Sequence, residues 1–561
     1  MSNQNVNRII WICWFQGWET APFLVRQCRE SWISRNPGWD VRAIDASSVR
    51  RYLDIDDYVA LGAKEITAAS LSDIVRVLLL REYGGVWVDA TAYCIRPLDD
   101  WLANYMGGQF FAFRNPEPYL QLSTWFLART SDDAITDKWA ARVIGYWAER
   151  ERADNYFWFH ILFNELVASD PQVAEAWSRV PQLRLDGPLG SGPSADAPDP
   201  AELADAAAWE MPLIKLSHRI DPAAWAEGTE LGKLLRSHVP PPQPLAPRTR
   251  AGSRPAAFVG LKTRTANLGD HIQIVAAERL LARADISIGQ RIDRDDEIAS
   301  APSLDGGDAS AGVLLNGWYK TNPEEWPPNP RLSPIYLGFH IRLFQSPSLI
   351  GPEAIEHYRA HEPIGCRDEY TRSLLSSLGV DCFVSNCLTL TFPRRLPDPA
   401  RQTEVFVVST DKRLLELVPA GLGETQFVSH YSGTADFESN LASAEALLKT
   451  YRERARLIVT TFLHCALPAI AMGIPVVVFY PLQDGFMHGS DRERFSSLAA
   501  MIRVHQASEA AKVDWSGQRV DVAQWKLKIL DALFEKAAIW NLPPPRAIGP
   551  IAPPEALPVP E

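Results

Sequence analysis

Apolar and polar positions follow two patterns that alternate along the chain. In the first hundred residues, the apolar runs RIIWICWF, WDVRAID and VWVDATAYC predict strands. Between them, PFLVRQCRESWISRN and SLSDIVRVLLLREYGG repeat apolar residues every three or four positions, which predicts amphipathic helices. Strands that alternate with helices indicate an α/β fold.

The second half of the chain shows the same alternation. AAFVGL predicts a strand, residues 271–284 a helix, and GVLLNGWY and PIYLGFHI two more strands. EVFVVST begins a further α/β lobe, which closes with RLIVTTF, a helix and IPVVVFY. The apolar run at 457–482 is long enough to cross a membrane, but it contains a histidine and three prolines. These residues favour a buried strand–helix–strand unit instead.

Proline-rich segments divide the chain. At 561 residues it exceeds what one hydrophobic core usually serves, so more than one domain is expected. Residues 239–255 read VPPPQPLAPRTRAGSRP and predict a stiff linker, and residues 541–561 predict a disordered tail. We therefore predict one domain over 1–238 and a second over 256–540.

Composition narrows the class of partner and the compartment. The net charge of -12 provides no basic surplus for a phosphate backbone, so a nucleic-acid partner is not expected. The seven cysteines are scattered without a C-x-x-C pair, and the start of the chain lacks a cleavable signal pattern. A cytoplasmic location is expected, with at most peripheral contact at the inner face of the membrane.

The run TAASLSDIVRVLLLREYGGVWVDATAYC carries the first group of candidate site residues. Asp73 and Arg76 are three residues apart on a predicted helix and therefore share a face. Gly84 and Gly85 end that helix, since glycine adopts left-handed backbone angles without strain. Asp89 then closes the next strand, at the edge where open α/β sheets bind ligands. A carboxylate there suits Mg²⁺ or Mn²⁺ bound to a diphosphate.

This run resembles the Asp-x-Asp glycosyltransferases, above all the bacterial capsular polysaccharide synthesis proteins, and the likeness extends over about residues 7–236. The resemblance implies a GT-A-like, Rossmann-type domain, a nucleotide-sugar donor and a divalent metal, Mn²⁺ or Mg²⁺. It implies that Asp73 contacts the donor sugar or ribose and that Asp89 binds the metal, with Arg76, Gly84 and Gly85 as further candidate substrate-binding residues. The second aspartate of the motif is replaced by Thr91, which stays a candidate ligand of weaker affinity.

Two histidines complete the first set. His218, in KLSHR, lies where related enzymes place a last metal ligand, and a solvated basic surface is the alternative. His160, in NYFWFHILF, is a candidate substrate contact, and a packed core histidine is its alternative.

The second half contains four stretches that together predict an anion-binding cleft. TANLGDHIQ places Asn267, Gly269 and Asp270 between a strand and a helix, whose N-terminus favours anions. PIGCRDEYT places Arg367 at another strand-to-helix junction, where a guanidinium can bind a carboxylate or phosphate bidentately. The remaining two stretches supply Asn316 and His340 at strand ends and His464 just before a helix.

In this order the stretches resemble the polysaccharide pyruvyltransferases, over about residues 256–500. The resemblance implies a two-lobed GT-B-like fold, phosphoenolpyruvate as donor and a glycan as acceptor. His464 is the predicted general acid, because imidazole titrates near neutrality, and Asp270 would orient or deprotonate the acceptor hydroxyl. Relatives carry arginine at the position of Phe462, so donor binding here is expected to differ.

We therefore predict a bifunctional enzyme of surface-polysaccharide synthesis that transfers a sugar and a pyruvyl group to a glycan. A lipid-linked glycan is one form that the acceptor could take. Two alternatives stay open: a single active domain, because of Thr91 and Phe462, or a glycan-binding scaffold without catalysis.

Overall fold

The computed structural model divides the chain into two compact units, one of residues 1–247 with 545–561 and one of residues 248–544. The boundary lies inside the predicted linker, whose residues 239–254 are outside the described part of the chain. The described residues are 6–106, 109–115, 117, 119–130, 133–183, 212–217, 222–226, 228–237, 255–300, 310–319, 326–342, 349–482, 495–542 and 545–548.

The first unit contains seven helices and seven strands among its described residues. The helices are α1 (Phe23–Arg35), α2 (Val49–Tyr52), α3 (Ala68–Tyr83), α4 (Ala134–Glu149), α5 (Trp158–Ser169), α6 (Pro171–Ser178) and α7 (Glu230–Leu235). The strands are β1 (Ile9–Cys13), β2 (Asp40–Ile44), β3 (Gly85–Asp89), β4 (Ala92–Cys94), β5 (Phe110–Ala112), β6 (Phe126–Arg129) and β7 (Leu213–Lys215).

A five-stranded sheet in the order β2-β1-β3-β6-β5 forms the centre of this unit. β1 runs parallel to β2 and β3, and β6 is antiparallel to both β3 and β5. The residues of β1 and β3 are almost all buried, as expected for central strands covered on both faces. The stretch VWVDATAYC is not the single strand predicted from sequence. It breaks after Asp89, and β4 leaves the sheet to pair antiparallel with β7.

The turn from α3 into β3 depends on local chemistry that the sequence predicted. Thr67 caps the start of α3 by accepting a hydrogen bond from the Ser70 amide at 3.2 Å. Gly84 and Gly85 end the helix with φ of +67° and +86°. A Cβ on Gly85 would lie 2.5 Å from the carbonyl oxygen of Ile9, so the close pairing with β1 also requires glycine.

The second unit contains eleven described strands and eight described helices. The strands are β8 (Ala257–Lys262), β9 (Gln290–Asp293), β10 (Ala311–Trp318), β11 (Leu332–His340), β12 (Ile364–Cys366), β13 (Cys382–Val384), β14 (Glu404–Val408), β15 (Thr425–Val428), β16 (Ala455–Thr460), β17 (Val476–Phe479) and β18 (Val504–His505). The helices are α8 (Leu268–Arg283), α9 (Pro352–Ala360), α10 (Glu369–Ser377), α11 (Arg413–Leu417), α12 (Phe437–Arg454), α13 (Leu463–Ala471), α14 (Ser496–Ala499) and α15 (Ala523–Ala537).

These strands form two parallel sheets, which confirms the predicted α/β class and the two lobes. The first has the order β13-β12-β11-β10-β8-β9 and the second β15-β14-β16-β17-β18. The lobes meet at the start of α8, where the amide of Leu268 donates to the carbonyl oxygen of His430 at 2.7 Å. Parallel strands bind ligands at their carboxyl ends, so this junction is the expected place for a site.

Two segments bear on membrane contact and on the tail. The apolar run at 457–482 forms β16, α13 and β17, as predicted, and is a strand–helix–strand unit. Within the described ranges, every helix is too short or too polar to serve as a membrane span. Part of the predicted disordered tail is ordered: the amide of Ile548 donates to the carbonyl of Ala46 at 2.9 Å, and its side chain is buried.

Candidate functional sites

In the first unit, a buried guanidinium connects the two predicted aspartates. One nitrogen of Arg76, Nη2, lies 3.3 Å from Asp73 on the same helix and 3.3 Å from Asp89 at the end of β3. Its other terminal nitrogen donates to the carbonyl of Thr124 at 2.6 Å. The Arg76 guanidinium also lies 5.2 Å from the centroid of the Trp87 ring, close enough for a cation–π contact. The sequence prediction that Asp73 and Arg76 share a face is confirmed.

A second cation reaches the same carboxylate from β7. Lys215 Nζ lies 3.2 Å from Asp89 Oδ2 and donates to Thr91 Oγ1 at 2.5 Å. The antiparallel pairing of β4 with β7 sets Lys215 opposite Ala92, and the Leu216 amide donates to the Thr91 carbonyl at 2.9 Å. The backbone therefore fixes the lysine beside the Asp89–Thr91 pair.

The two aspartates have opposite electrostatic surroundings. Burial raises the pKa of Asp73 to about 7, and Arg76 only partly opposes this. Burial also acts on Asp89, but Lys215 and Arg76 outweigh it and lower its pKa to about 2. Asp89 is therefore a fixed anion at neutral pH, whereas Asp73 titrates in the physiological range.

His160 lies beside this cluster. Its Nε2 is 3.4 Å from the hydroxyl of Thr124, the residue whose carbonyl accepts from Arg76. Burial, together with the charge of Arg76, lowers the pKa of His160 to about 3. The imidazole is neutral at physiological pH, so it can position a ligand by hydrogen bonding but carries no charge there.

Two of the three residues predicted to hold a divalent metal, Asp89 and Thr91, lie in the described part of the chain. Both candidate oxygen donors, on Asp89 and Thr91, already contact the ammonium of Lys215. Within the part of the chain that the structure describes, no group of three histidine, cysteine or acidic residues could hold a metal ion. His218, the third predicted ligand, lies outside the described residues.

Gly84 and Gly85 lie at the other end of β3 from this cluster. Gly84 precedes the strand and Gly85 begins it, whereas Asp89 ends it. Four residue steps of extended chain lead from Gly85 to Asp89, which is about 13 Å. Their contacts are with Asn7, Ile9 and Arg129, so the two glycines serve the turn and the strand pairing.

In the second unit, Asp270 is buried among polar partners. Its Oδ1 lies 3.3 Å from Arg294 Nη2 and accepts from Trp318 Nε1 and Gln273 Nε2 at 3.2 Å each. Its Oδ2 accepts from Thr265 and from Asn267 Nδ2. With 1% of its surface exposed, Asp270 orients its neighbours in this conformation, and it does not face solvent as a free base would.

A second cluster lies where β11 and β12 end. His340 Nδ1 is 2.7 Å from Asp368 Oδ2, and Arg367 Nε is 3.4 Å from the same oxygen. Burial raises the pKa of Asp368, but His340 and Arg367 together hold it well below its usual range. The Arg367 side chain is 0% exposed, so the expected open anion clamp is closed in this conformation.

The two lobes bring Gly269 and His464 together. A Cβ on Gly269 would lie 3.1 Å from Asn267 Oδ1 and 3.2 Å from the Cβ of His464, so a larger residue would press on both side chains. Gly269 and Asp270 belong to the first turn of α8, which begins before the predicted residue 271 because Asn267 caps it by accepting from the Gly269 amide. His464 is the second residue of α13, but its φ of -84° and ψ of 18° are not helical, so the chain is kinked there.

Two further predicted positions differ in detail. His340 ends β11 as expected, but Asn316 lies two residues before the end of β10, beside a register shift. The Asn316 side chain donates to the carbonyl of Gln273 at 3.2 Å and is buried, so it ties β10 to α8. Phe462 stacks on His430 with ring centroids 5.3 Å apart and planes 9° from parallel.

Comparison with known families assigns each unit. Residues 1–231 match the capsular polysaccharide synthesis protein family, and residues 267–482 match the polysaccharide pyruvyl transferase family. The chain is therefore a fusion of a segment that matches the first family with a segment that matches the second. Both predicted resemblances, to the capsular polysaccharide synthesis proteins and to the polysaccharide pyruvyltransferases, are confirmed.

Individual relatives of the fusion cover short parts of it. An O-glycosyltransferase of Annulohypoxylon truncatum is 28% identical over 103 residues, which are 16% of this chain and 24% of the relative. An uncharacterized glycosyltransferase of Acanthamoeba polyphaga mimivirus is 28% identical over 112 residues, 19% of this chain and 44% of the relative. The fusion therefore spans less than half the length of either protein.

Solved structures give only distant likenesses. The PaToxG glycosyltransferase is 14% identical with a TM-score of 0.22, covering 31% of this chain and 72% of that one. A putative UDP-N-acetylglucosamine 2-epimerase from Listeria monocytogenes is 13% identical with a TM-score of 0.25, covering 53% and 93%.

Sequence reasoning missed several residues of both clusters in the fusion. Lys215 stands in the quoted KLSHR segment, but only the pairing of β4 with β7 brings it to Asp89. Trp318 is the second-last residue of the predicted strand GVLLNGWY, but its indole N–H reaches Asp270 only because of the position of α8. Arg294 follows β9 and carries no sequence motif. Asp368 directly follows Arg367, and its role as the cap of α10 was a readable signal.

Proposed function

We propose that the first unit transfers a sugar from a nucleotide-sugar donor to a glycan, and that the second adds a pyruvyl group from phosphoenolpyruvate. The observation that carries the proposal is the cluster at the end of β3, where Arg76 and Lys215 flank Asp89. Cations beside an oriented carboxylate suit a donor that has both a diphosphate and sugar hydroxyls.

In the sugar transfer, the bond between sugar C1 and the diphosphate oxygen breaks, and its electron pair stays on the nucleoside diphosphate. The acceptor hydroxyl oxygen bonds to C1 and loses its proton. Asp89, ionised at neutral pH, would orient the donor, and His160 would accept or donate a hydrogen bond as a neutral group. Positioning and charge stabilisation would supply most of the rate enhancement.

In the pyruvyl transfer, two glycan hydroxyls add to the central carbon of phosphoenolpyruvate, and inorganic phosphate leaves. The methylene carbon gains one proton and becomes a methyl group, while the second hydroxyl proton leaves with phosphate. His464 would protonate the methylene carbon, since it lies beside the start of α8, where the lobes meet. The donor anion would bind at that helix N-terminus, which Asn267 already orders.

Both steps can be tested on the full chain. Nucleotide release from a panel of uridine- and guanosine-diphosphate sugars should occur with the native protein and fall at least tenfold in Asp89→Asn. Acceptor-dependent phosphate release from phosphoenolpyruvate should be lost in His464→Gln and kept in His361→Gln, a control histidine at the end of α9. The proposal fails for a unit that neither binds its donor by calorimetry nor releases its product.

A further inference from the structure

Lys215 occupies the position in the first unit where a metal would be expected. Its ammonium lies 3.2 Å from Asp89 Oδ2 and 2.5 Å from Thr91 Oγ1, and so bridges the two residues of the degenerate Asp-x-Asp motif. A divalent cation bound to these oxygens would sit within a few ångströms of the ammonium, where two positive charges repel strongly. Lysine and metal are therefore alternatives at this site.

The surrounding charges and exposures favour the lysine. Thr91 offers a neutral hydroxyl in place of the second carboxylate of the motif, so one anionic group fewer attracts a hard divalent ion. The side chains of Lys215 and Asp89 are 22% and 26% exposed, whereas that of Arg76 is only 6% exposed. An incoming ligand can therefore reach Lys215, while Arg76 is held behind the carboxylates.

We propose that Lys215 is the cation that binds the donor diphosphate, and that this unit transfers sugar without a divalent metal. The inference rests on the proposed sugar transfer and specifies how its site works. When the C1–oxygen bond breaks, the electron pair adds negative charge to the diphosphate, and the ammonium stabilises that charge. The acceptor oxygen forms the new bond to C1, and its proton passes to water. Asp89 and Thr91 hold the ammonium in place.

Backbone pairing makes the lysine a built part of the site. β7 pairs with β4 in a register that sets Lys215 opposite Ala92, directly after Thr91. The Leu216 amide fixes the same register from the next residue, through the Thr91 carbonyl. The ammonium is therefore positioned before a donor arrives, which reduces the entropy lost on binding.

The test combines metal binding and nucleotide binding on the full chain. Mn²⁺ alone is titrated into the native protein and followed by electron paramagnetic resonance. UDP and uridine are each titrated calorimetrically, once in EDTA and once in Mn²⁺. The proteins are the native chain, Lys215→Met, Lys215→Arg and the control Lys138→Met, which removes an ammonium that pairs with Asp170. GDP and guanosine replace the uridine compounds if the donor panel favours guanosine.

We expect no stoichiometric Mn²⁺ binding below millimolar concentration and diphosphate affinity that changes less than twofold between EDTA and Mn²⁺. Lys215→Met should weaken binding of the nucleoside diphosphate at least tenfold, but binding of the nucleoside less than threefold. Lys215→Arg should restore part of the affinity for the diphosphate, and Lys138→Met should change neither affinity. The double variant Thr91→Asp with Lys215→Ala should gain Mn²⁺ binding.

Two results would overturn the inference, and they are distinguishable. Micromolar Mn²⁺ binding by the native protein, with diphosphate affinity lost in EDTA, would show a metal-dependent transferase and leave the proposed sugar transfer intact. Absence of binding and of product release for every nucleotide sugar, with and without Mn²⁺, would refute the sugar transfer itself and the inference with it.

Discussion

The imidazole of His340, the last residue of β11, lies 2.7 Å from the carboxylate of Asp368, which follows β12. Asp368 also accepts from the amide and the hydroxyl of Thr371, at 3.0 and 2.9 Å, and thereby caps α10. One buried carboxylate thus fixes a helix start and the orientation of a site histidine. The register of β11 beside β12 makes this possible.

Replacing Asp368 separates these two roles. Asp368→Ala should destabilise the second unit by about 3 to 5 kcal/mol, because it leaves His340 and Arg367 buried without their anion and removes the cap. Asp368→Asn keeps the capping oxygen, so its loss should be smaller by about 1 kcal/mol. Urea unfolding checks both values. Equal stability of the native protein and Asp368→Ala would contradict the buried pair.

Gly269→Ala should disturb His464 without unfolding the protein. The added methyl would lie 3.1 Å from Asn267 Oδ1 and 3.2 Å from the His464 Cβ, so these side chains must shift by a few tenths of an ångström. We expect a cost of about 1 kcal/mol in stability and at least a tenfold loss in phosphate release from phosphoenolpyruvate. Gly421→Ala is the matched control, since its Cβ would meet nothing within 4 Å. Equal rates for the two variants would argue against the placement of His464.

Asp73 should make the stability of the first unit depend on pH. Its pKa is raised to about 7, above the unfolded value near 3.9, so the folded state binds more protons in that interval. The contribution is therefore fully present below about pH 4 and is lost as pH rises through 7. Asp73→Asn should gain stability relative to the native protein as pH rises from 5.5 to 8.5, by roughly 2 kcal/mol, because the unfolded carboxyl is already ionised at pH 5.5 and the folded one loses its proton only near pH 7.

Hydrogen exchange of α3 peptides at pH 5.5 and pH 8.5 measures this difference in stability within the first unit. Asp100→Asn, an exposed carboxylate on the same unit, serves as the control and should follow the native protein. A pH dependence that is identical in the native protein and in Asp73→Asn would rule out the titration of Asp73.

We expect Lys526, a buried lysine of α15, to be important for the stability of the second unit. It is 2% exposed, and its ammonium donates to the carbonyls of Phe392 and Ala471, at 2.8 and 3.1 Å. Lys526→Met leaves both carbonyls buried without a donor, so we expect a loss of about 2 to 4 kcal/mol. Lys528 lies two residues further along the same helix and is exposed, so Lys528→Met should lower the stability by less than about 0.5 kcal/mol. Thermal unfolding compares the two.

Local sequence patterns predicted the elements of this fold well where the signal was itself local. The helix containing Asp73 and Arg76 ends at Gly84 and Gly85 as expected, and the apolar run at 457–482 forms the predicted strand, helix and strand. Capping also moved boundaries: α8 begins at Leu268, because the Asn267 side chain closes its first turn.

The site depended on pairings that sequence patterns do not carry. Lys215 meets Asp89 because β4 leaves the main sheet and pairs with β7, more than 110 residues away. Arg367 lies at a strand-to-helix junction, as predicted. Its full burial, however, depends on distant segments that pack around it and could not be predicted from the local sequence. Long-range contacts of this kind set protonation and access, while residue type alone sets neither.

The return of the chain to the first unit at Ile548 has a consequence for dissecting the protein. The second unit is inserted into the first, so a premature stop codon within residues 248–544 would truncate both folds at once. Expressing the first 238 residues alone would also leave Ala46 without the segment that covers it. A faithful half-protein would delete the insertion and rejoin residue 247 to residue 545 through a short linker.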